Sequence, residues 1–315
     1  MLFKSICLFS GSANLPLSEA IAKHARMPLG EMTLRRFSDG EIFVQIEENV
    51  RGANAFVVQP TCPPVNDNLM ELLILIDALK RASVASITAV VPYYGYARQD
   101  RKVAPRTPIS AKLVADLLQT AGVQRMVSLD LHSGQIQGFF DVPFDNLYGL
   151  PVLCAYVKER VKDHVVVVSP DAGGVQRARA FAKRLDAGLA IIDKRRERAN
   201  ESEVMNIIGE IKDRDCVIVD DMIDTAGTLT SSAAALKKAG AARVIACATH
   251  GVLSGPAIER LAGSDLEEVV ITDTLPTSRD VRDKGRIKVV SCAALLAEAI
   301  KRIHTGDSVS GLFSE

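Results

Sequence analysis

The chain has 315 residues, 48% of them hydrophobic and 24% charged, with 38 Lys plus Arg balancing 38 Asp plus Glu. Such a length exceeds one ordinary compact core and predicts two domains of about 150 residues each. The charge balance excludes a global field that would gather nucleic acid or an acidic membrane surface, so any anion site is local.

In chain order, the strands predicted from short Val- and Ile-rich runs are Ser5 to Phe9, Ala55 to Gln59, Ile87 to Val91, Met126 to Asp130, Val165 to Ser169, Leu189 to Ile192, Cys216 to Asp220, Val244 to Ala248 and Val269 to Thr272. Apolar residues at spacings of three and four predict helices over Asn68 to Arg81, Ile109 to Thr120, Gly174 to Leu185, Leu229 to Lys238 and Ala293 to Ile303. Pro108 at one helix start and Gly122 and Gly240 after two helix ends agree with boundary chemistry. The alternation reads as α/β, a mostly parallel sheet flanked by helices. A turn-rich segment near Asp145 to Pro151 places the domain boundary, giving domains 1–148 and 149–315.

The apolar stretch after Lys4 is too short for a signal-peptide core of about 7 to 15 residues. The run around Leu72 to Ile76 meets Asp77 well short of the ~20 residues that cross a bilayer. Six cysteines, Cys7, Cys62, Cys154, Cys216, Cys247 and Cys292, lie scattered without CxxC spacing and read as reduced core thiols, so a cytoplasmic location is expected.

Chemistry concentrates in Cys216 to Thr228, CVIVDDMIDTAGT, where a buried strand ends in two aspartates and a Thr-Ala-Gly-Thr turn opens a helix. Gly227 admits a ligand close to the backbone, and free N–H groups at the helix start suit a dianionic phosphate together with the hydroxyls of Thr225 and Thr228. Asp220 and Asp221 can accept from sugar hydroxyls. Simple helix capping needs only one short polar residue and leaves the paired carboxylates unexplained. A ribose 5-phosphate site fits the segment.

Asp130 ends a strand and His132 follows two residues later, a pair that can hold a hydrated metal ion or a nucleotide at the carboxyl edge of the sheet. A lone histidine is more often structural. Asp171, in VVVVSPDAGGVQR, also follows a buried run; as a plain loop the segment would merely cap the next helix. The basic run KRRERANES after LAIID has no apolar face and reads on its own as a solvated surface loop.

The segment Asp220 to Thr228 resembles the phosphoribosyl-pyrophosphate-binding motif shared by phosphoribosyltransferases and ribose-phosphate pyrophosphokinases. Four further segments resemble the pyrophosphokinases: RFSDGEIFVQIEENVRG, NDNLMELLILIDALKRA, YARQDRK and DLHSGQIQGFFDVPFDNLYG. The similarity runs nearly end to end. It implies two phosphoribosyltransferase-like domains, and a transfer of the pyrophosphoryl group of ATP to C1 of ribose 5-phosphate with magnesium as cofactor. The ribose 5-phosphate loop would be Asp220, Asp221, Asp224, Thr225, Ala226, Gly227 and Thr228.

By the same resemblance Phe37, Asp39 and Glu41 would contact ATP, Arg98, Gln99 and His132 would join them, Asp130 and His132 would serve magnesium, and Asp171 a second magnesium. Without it, FSDGE is only a turn before a strand. Lys194 and Arg196 fall on the catalytic lysine and arginine of a flexible loop. ATP would bind between subunits of a homo-oligomer, a hexamer built from dimers. Asn146, Tyr148, Ser310 and Phe313 match the regulatory pattern of the phosphate-activated, ADP-inhibited class, with Arg51 and Arg106 placed to take phosphate or an ADP phosphate. Two other readings stay open: a phosphoribosyltransferase, which leaves the N-terminal half unexplained, and a catalytically silent paralogue, which should carry damage at Lys194, Arg196, Asp130, His132 or the phosphate loop.

Overall fold

The chain is described here by a computed structural model covering residues 5–161, 164–195 and 204–312, without the side chains at 194, 195, 204 and 205. It divides into two compact units. One holds the chain through Tyr148, with Thr274–Pro276 and the C-terminal segment from Cys292. The other holds Gly149–Asp273 and Thr277–Ser291.

In the first unit the order is β1 (Ile6–Ser10), α1 (Leu15–Ala25), β2 (Met32–Arg36), β3 (Ile42–Ile46), β4 (Asn54–Val58), α2 (Val65–Arg81), β5 (Ser86–Val91), α3 (Ser110–Ala121), β6 (Arg125–Leu129) and β7 (Phe144–Leu147). Strands pair in parallel in the order β1-β4-β5-β6-β7. Burial on both faces explains why residues 55–58 of β4 are all apolar. Ala55 and Val57 of β4 face a core shared with α2 and α3, while Phe56 and Val58 face a second core. Helix α2 sets Leu69, Leu72, Ile76 and Leu79 on one buried stripe, and Leu72→Ala would cost about 2–5 kcal/mol by leaving a cavity.

The second unit begins with α4 (Leu150–Lys158), then β8 (Val165–Ser169), α5 (Val175–Leu185), β9 (Gly188–Arg195), β10 (Val204–Ile208), β11 (Asp215–Ile223), α6 (Gly227–Lys238), β12 (Arg243–Gly251), α7 (Ala257–Ala262), β13 (Glu268–Thr272), α8 (Arg279–Gly285) and β14 (Ile287–Val290). Its sheet runs β10-β9-β8-β11-β12-β13-β14, parallel except where β10 turns back on β9. Val166 and Val168 pack on the α6 side, and Val167 packs with Phe181 of α5 on the other. The last helix, α9 (Ala293–Thr305), returns to the first unit, where Leu296, Ala297 and Ile300 fill the core around Leu8, Phe56 and Val127.

Two expectations change. The segment near Asp145 to Pro151 is not turn-rich: β7 runs almost directly into α4, whose helix start carries Pro151. The basic run is not wholly loop, because β9 extends through Lys194 to Arg195. There β10 supplies antiparallel partners, with Lys194 opposite Met205. The turn FSDGE does precede a strand, β3, and joins it to β2 as a hairpin. The cysteines are free thiols, and burial pushes Cys7 and Cys62 up to about 11.

Candidate active site

Sheet order locates the ligand edge of the second unit. From β8 the chain proceeds outward to β9, whereas from β11 it proceeds the opposite way to β12. The order therefore reverses between β8 and β11. Helix α5, which follows β8, packs on one face, and α6, which follows β11, packs on the other, so a crevice opens at the carboxyl ends of these two neighbours. In the first unit the order β1-β4-β5-β6-β7 has no such reversal.

Both predicted loops of the second unit meet this crevice. After β8, Ser169 donates to the Asp171 carbonyl at 2.7 Å and the Gly174 N–H donates to Asp171 Oδ1 at 2.9 Å, folding Asp171 into the turn that starts α5. After β11, the Leu253 N–H donates to the Ile223 carbonyl and the Ser254 N–H to the Asp224 carbonyl, both at 2.9 Å, so the stretch after β12 braces the loop. Ala226 adopts φ +59°, and α6 starts at Gly227 with no side-chain cap on its first turn. Uncapped N–H groups beside the exposed Thr225 and Thr228 are a geometry that can seat a phosphate.

Asp220 and Asp221 stand next to this seat. The Asp221 N–H donates to Asp220 Oδ1 at 2.8 Å, and Arg177 Nη1 of α5 lies 3.6 Å from Oδ1 of each carboxylate. Burial pushes the Asp220 carboxyl up to about 7, the neighbouring Asp221 adds to the rise, and Arg177 opposes it. From α7, Arg260 Nη1 donates to the Thr225 carbonyl at 2.9 Å. An open pocket lined by Ile207, Gly209, Lys212 and Arg214 lies before the start of β11, at the amino end of the strands, and is not part of this edge.

In the first unit, Asp130 follows β6 and is buried at φ +42°, a conformation uncommon for an aspartate. Its N–H donates to the Leu147 carbonyl at 2.8 Å, and the next N–H, of Leu131, donates to Asn146 Oδ1 at 3.0 Å. His132 is exposed just beyond. Gln135 Nε2 donates to Asp100 Oδ2 at 3.3 Å, joining this turn to the segment that carries Arg98 and Gln99. Ser110 of α3 donates to Gln99 Oε1 at 2.5 Å.

Phe37, Asp39 and Glu41 sit together at the tip of the β2–β3 hairpin. The Phe37 N–H donates to the Glu41 carbonyl at 2.8 Å, Asp39 Oδ1 accepts from the Glu41 N–H at 3.0 Å, and Gly40 takes the left-handed φ of +96° that the turn needs. The Arg35 guanidinium lies 4.7 Å from the Phe37 ring centroid and 4.5 Å from that of Phe43, holding an aromatic face 43% exposed.

Of the remaining expected residues, Asn146 is buried on β7, while Arg51, Arg106, Tyr148 and Ser310 are exposed in the first unit. Arg196 and Phe313 lie outside the described residues, as does the Lys194 side chain. Sequence reasoning missed Arg177, Arg260 and the hydrogen bond of Asn146. Each works across space rather than within a motif, and no local signal marks it.

Among the described residues, no three His, Cys, Asp or Glu side chains come together as a metal cage. The donor set still fits magnesium, which prefers oxygen, keeps several waters and is held by one or two carboxylates plus substrate phosphates. Asp130 in the first unit and Asp171 in the second could each offer one such carboxylate.

A parallel sheet with helices on both faces, an uncapped helix start and an acidic pair at its switch point define an α/β protein that takes phosphorylated sugar or nucleotide ligands. Residues 6–122 match the N-terminal domain of ribose phosphate pyrophosphokinase, and residues 195–314 match the phosphoribosyl synthetase-associated domain. The chain is 57% identical to the ribose-phosphate pyrophosphokinase of Bordetella pertussis, over 98% of this chain and 100% of that one. It is 58% identical to that of Mesorhizobium japonicum, over 97% and 99%. The crystal structure of phosphoribosylpyrophosphate synthetase from Mycobacterium smegmatis superimposes with a TM-score of 0.91 at 46% identity, covering 96% of this chain and 100% of that one. The chain belongs to the ribose-phosphate pyrophosphokinase family.

Proposed function

We propose that this chain transfers the pyrophosphoryl group of ATP to C1 of ribose 5-phosphate, giving 5-phosphoribosyl 1-pyrophosphate and AMP for nucleotide biosynthesis. The observation that carries the reading is the pairing, at the β8/β11 switch point, of an uncapped α6 start with two adjacent carboxylates. A sugar phosphate needs both groups side by side. The phosphoribosyltransferase alternative is not favoured, because the relationship to the pyrophosphokinases also takes in the N-terminal unit.

In the reaction the C1 hydroxyl attacks the β-phosphorus of ATP in line. A bond forms between that oxygen and the β-phosphorus, the bond from the β-phosphorus to the α,β-bridging oxygen breaks, AMP leaves, and the hydroxyl proton passes to solvent. The helix α6 start with Thr225, Ala226, Gly227 and Thr228 binds the 5-phosphate, while Asp220, Asp221 and Asp224 orient the ribose. Phe37 offers a ring for the adenine, with Asp39, Glu41, Arg98, Gln99 and His132 as its polar partners. Lys194 and Arg196 stabilise charge spreading over the phosphate oxygens. Magnesium, when bound, would neutralise phosphate charge; Asp130 and His132 would hold one ion and Asp171 a second.

ATP is taken between subunits of a homohexamer, and phosphate and ADP act as effectors through Arg51, Arg106, Asn146, Tyr148, Ser310 and Phe313. Among the described residues no helix is long and apolar enough to cross a membrane, and the free thiols suit a cytoplasmic location. Incubating the purified protein with ATP, magnesium and ribose 5-phosphate tests the reading. AMP should appear only when ribose 5-phosphate is present; its absence, or release of a nucleobase-dependent product instead, would overturn it.

A further inference from the structure

Helix α5 begins with a charge of the wrong sign. Its first turn holds no acidic residue and has Arg177 at its third position, where the helix dipole disfavours a cation, whereas Lys183 and Arg184 in its last turn follow the dipole. Helix stability therefore does not explain Arg177. Its guanidinium instead reaches from α5 to β11 and sits at the same distance, 3.6 Å, from Oδ1 of Asp220 and of Asp221.

That separation is within ion-pair range but longer than a hydrogen bond, so Arg177 neutralises the pair without occupying its acceptor sites. Two neighbouring carboxylates otherwise repel each other, and both repel a dianionic sugar phosphate. The Asp221 side chain is only 7% exposed and that of Asp220 29%, so solvent screens this repulsion weakly. A shared cation beside the pair offsets this repulsion where the sugar phosphate would approach.

We propose that Arg177 is a positioning residue for ribose 5-phosphate recognition: a shared counter-ion that holds Asp220 and Asp221 side by side. This rests on the ribose 5-phosphate reading of the β11–α6 loop. Arg177 acts through the two carboxylates and touches no reacting atom.

The test compares Arg177→Gln, Arg177→Lys and Arg179→Gln, the last removing an equal charge from an exposed position on the same helix. Ribose 5-phosphate binding is measured by calorimetry without nucleotide, and KM for each substrate and kcat are measured with ATP and magnesium. Arg177→Gln should weaken ribose 5-phosphate binding and raise its KM by about 10–100-fold, the scale of losing a partner that orients a binding group, and should leave the KM for ATP within about threefold. Arg177→Lys should fall between it and wild type, and Arg179→Gln should match wild type. A rise in the KM for ATP alone would mark Arg177 as a nucleotide ligand and overturn the inference. Wild-type affinity for ribose 5-phosphate in Arg177→Gln would also overturn it, and if that variant does not fold, Arg177→Lys decides by the same criterion. Failure of the wild type itself to form AMP with ribose 5-phosphate would instead sink the parent reading, and this inference with it.

Discussion

Arg260 donates from α7 to the Thr225 carbonyl at 2.9 Å, and its Nη1 stands 3.2 Å from where a Cβ on Gly227 would lie. The guanidinium thus fixes the turn that exposes the α6 start and stands close enough that a side chain at 227 would push it back by a few tenths of an ångström. Gly227→Ala should displace Arg260, and Arg260→Gln should loosen the turn directly. Both should raise the KM for ribose 5-phosphate by about 10-fold or more, the scale of one charge-assisted hydrogen bond. Steady-state kinetics with ATP saturating checks this; an unchanged KM in both variants would remove Arg260 from the phosphate seat.

The raised Asp220 carboxyl gives a pH prediction. Its folded value, about 7, lies above the usual aspartate range because of burial first and Asp221 second, with Arg177 pulling the other way. A group that binds its proton more tightly when folded lowers stability as pH rises from its unfolded value, about 4, through its folded one. Asp220→Asn should therefore melt higher than wild type at pH 8 without ligands, by a few degrees, and this gain should shrink as pH falls to 5. Ribose 5-phosphate affinity of the wild type should drop below about pH 7, more steeply than in Asp220→Asn. The variant serves as the reference because the substrate phosphate itself titrates near ~6. Parallel pH profiles in the two proteins would contradict the assignment.

Asn146 holds the turn between Asp130 and His132 by accepting the Leu131 N–H. Asn146→Asp keeps an acceptor at that atom, whereas Asn146→Leu leaves the buried Leu131 N–H unmatched, next to Asp130 with its φ of +42°. Asn146→Leu should lower kcat or raise the KM for magnesium-ATP by about 10-fold, with Asn146→Asp closer to wild type. Equal behaviour of the two variants would show that the contact does not support the turn.

Glu71 is buried on α2 and accepts from the Ser12 N–H at 2.6 Å, from Ser12 Oγ at 2.7 Å and from Gln59 Nε2 at 2.8 Å. Gln59 Oε1 in turn accepts from the Ala13 N–H at 3.1 Å, so the loop after β1 is tied to α2 and β4. Glu71→Ala strands several buried donors and should cost about 3 kcal/mol, lowering the melting temperature by several degrees in calorimetry. A loss below ~1 kcal/mol would mean that water replaces the carboxylate at no great cost.

The buried strands were legible because a parallel strand covered on both faces carries an unbroken apolar run, as residues 165–168 and 216–219 do. The β2–β3 hairpin was harder to read: MTLRR and IFVQI are only half-buried, and neither is a continuous apolar run. Strands β7 and β14 span four residues each, too few for a period to show. Helix α1 does carry an Asn14 cap and an early Pro16, but Lys23 and His24 dilute its stripe. The return of α9 to the first unit rests on contacts such as Lys301 with His24, 277 residues apart, which no local pattern encodes.

The loop from Asp220 to Thr228 was legible because its acceptors, hydroxyls and glycine follow one another in the chain. Arg260 meets Thr225 across 35 residues and Asn146 meets Leu131 across 15, so their roles emerge only once β11, α7, β6 and β7 are in place.

The central claim is transfer of an intact pyrophosphoryl group to the sugar. ATP labelled with 18O on its β-phosphoryl group, followed by phosphorus NMR in the presence of ribose 5-phosphate and magnesium, tests it most directly. The labelled β-phosphorus should appear, still joined to the γ-phosphorus, in a diphosphate bound to C1 of the sugar, with AMP as the sole nucleotide product. ADP with a singly phosphorylated sugar, or free pyrophosphate with no sugar diphosphate formed, would contradict it.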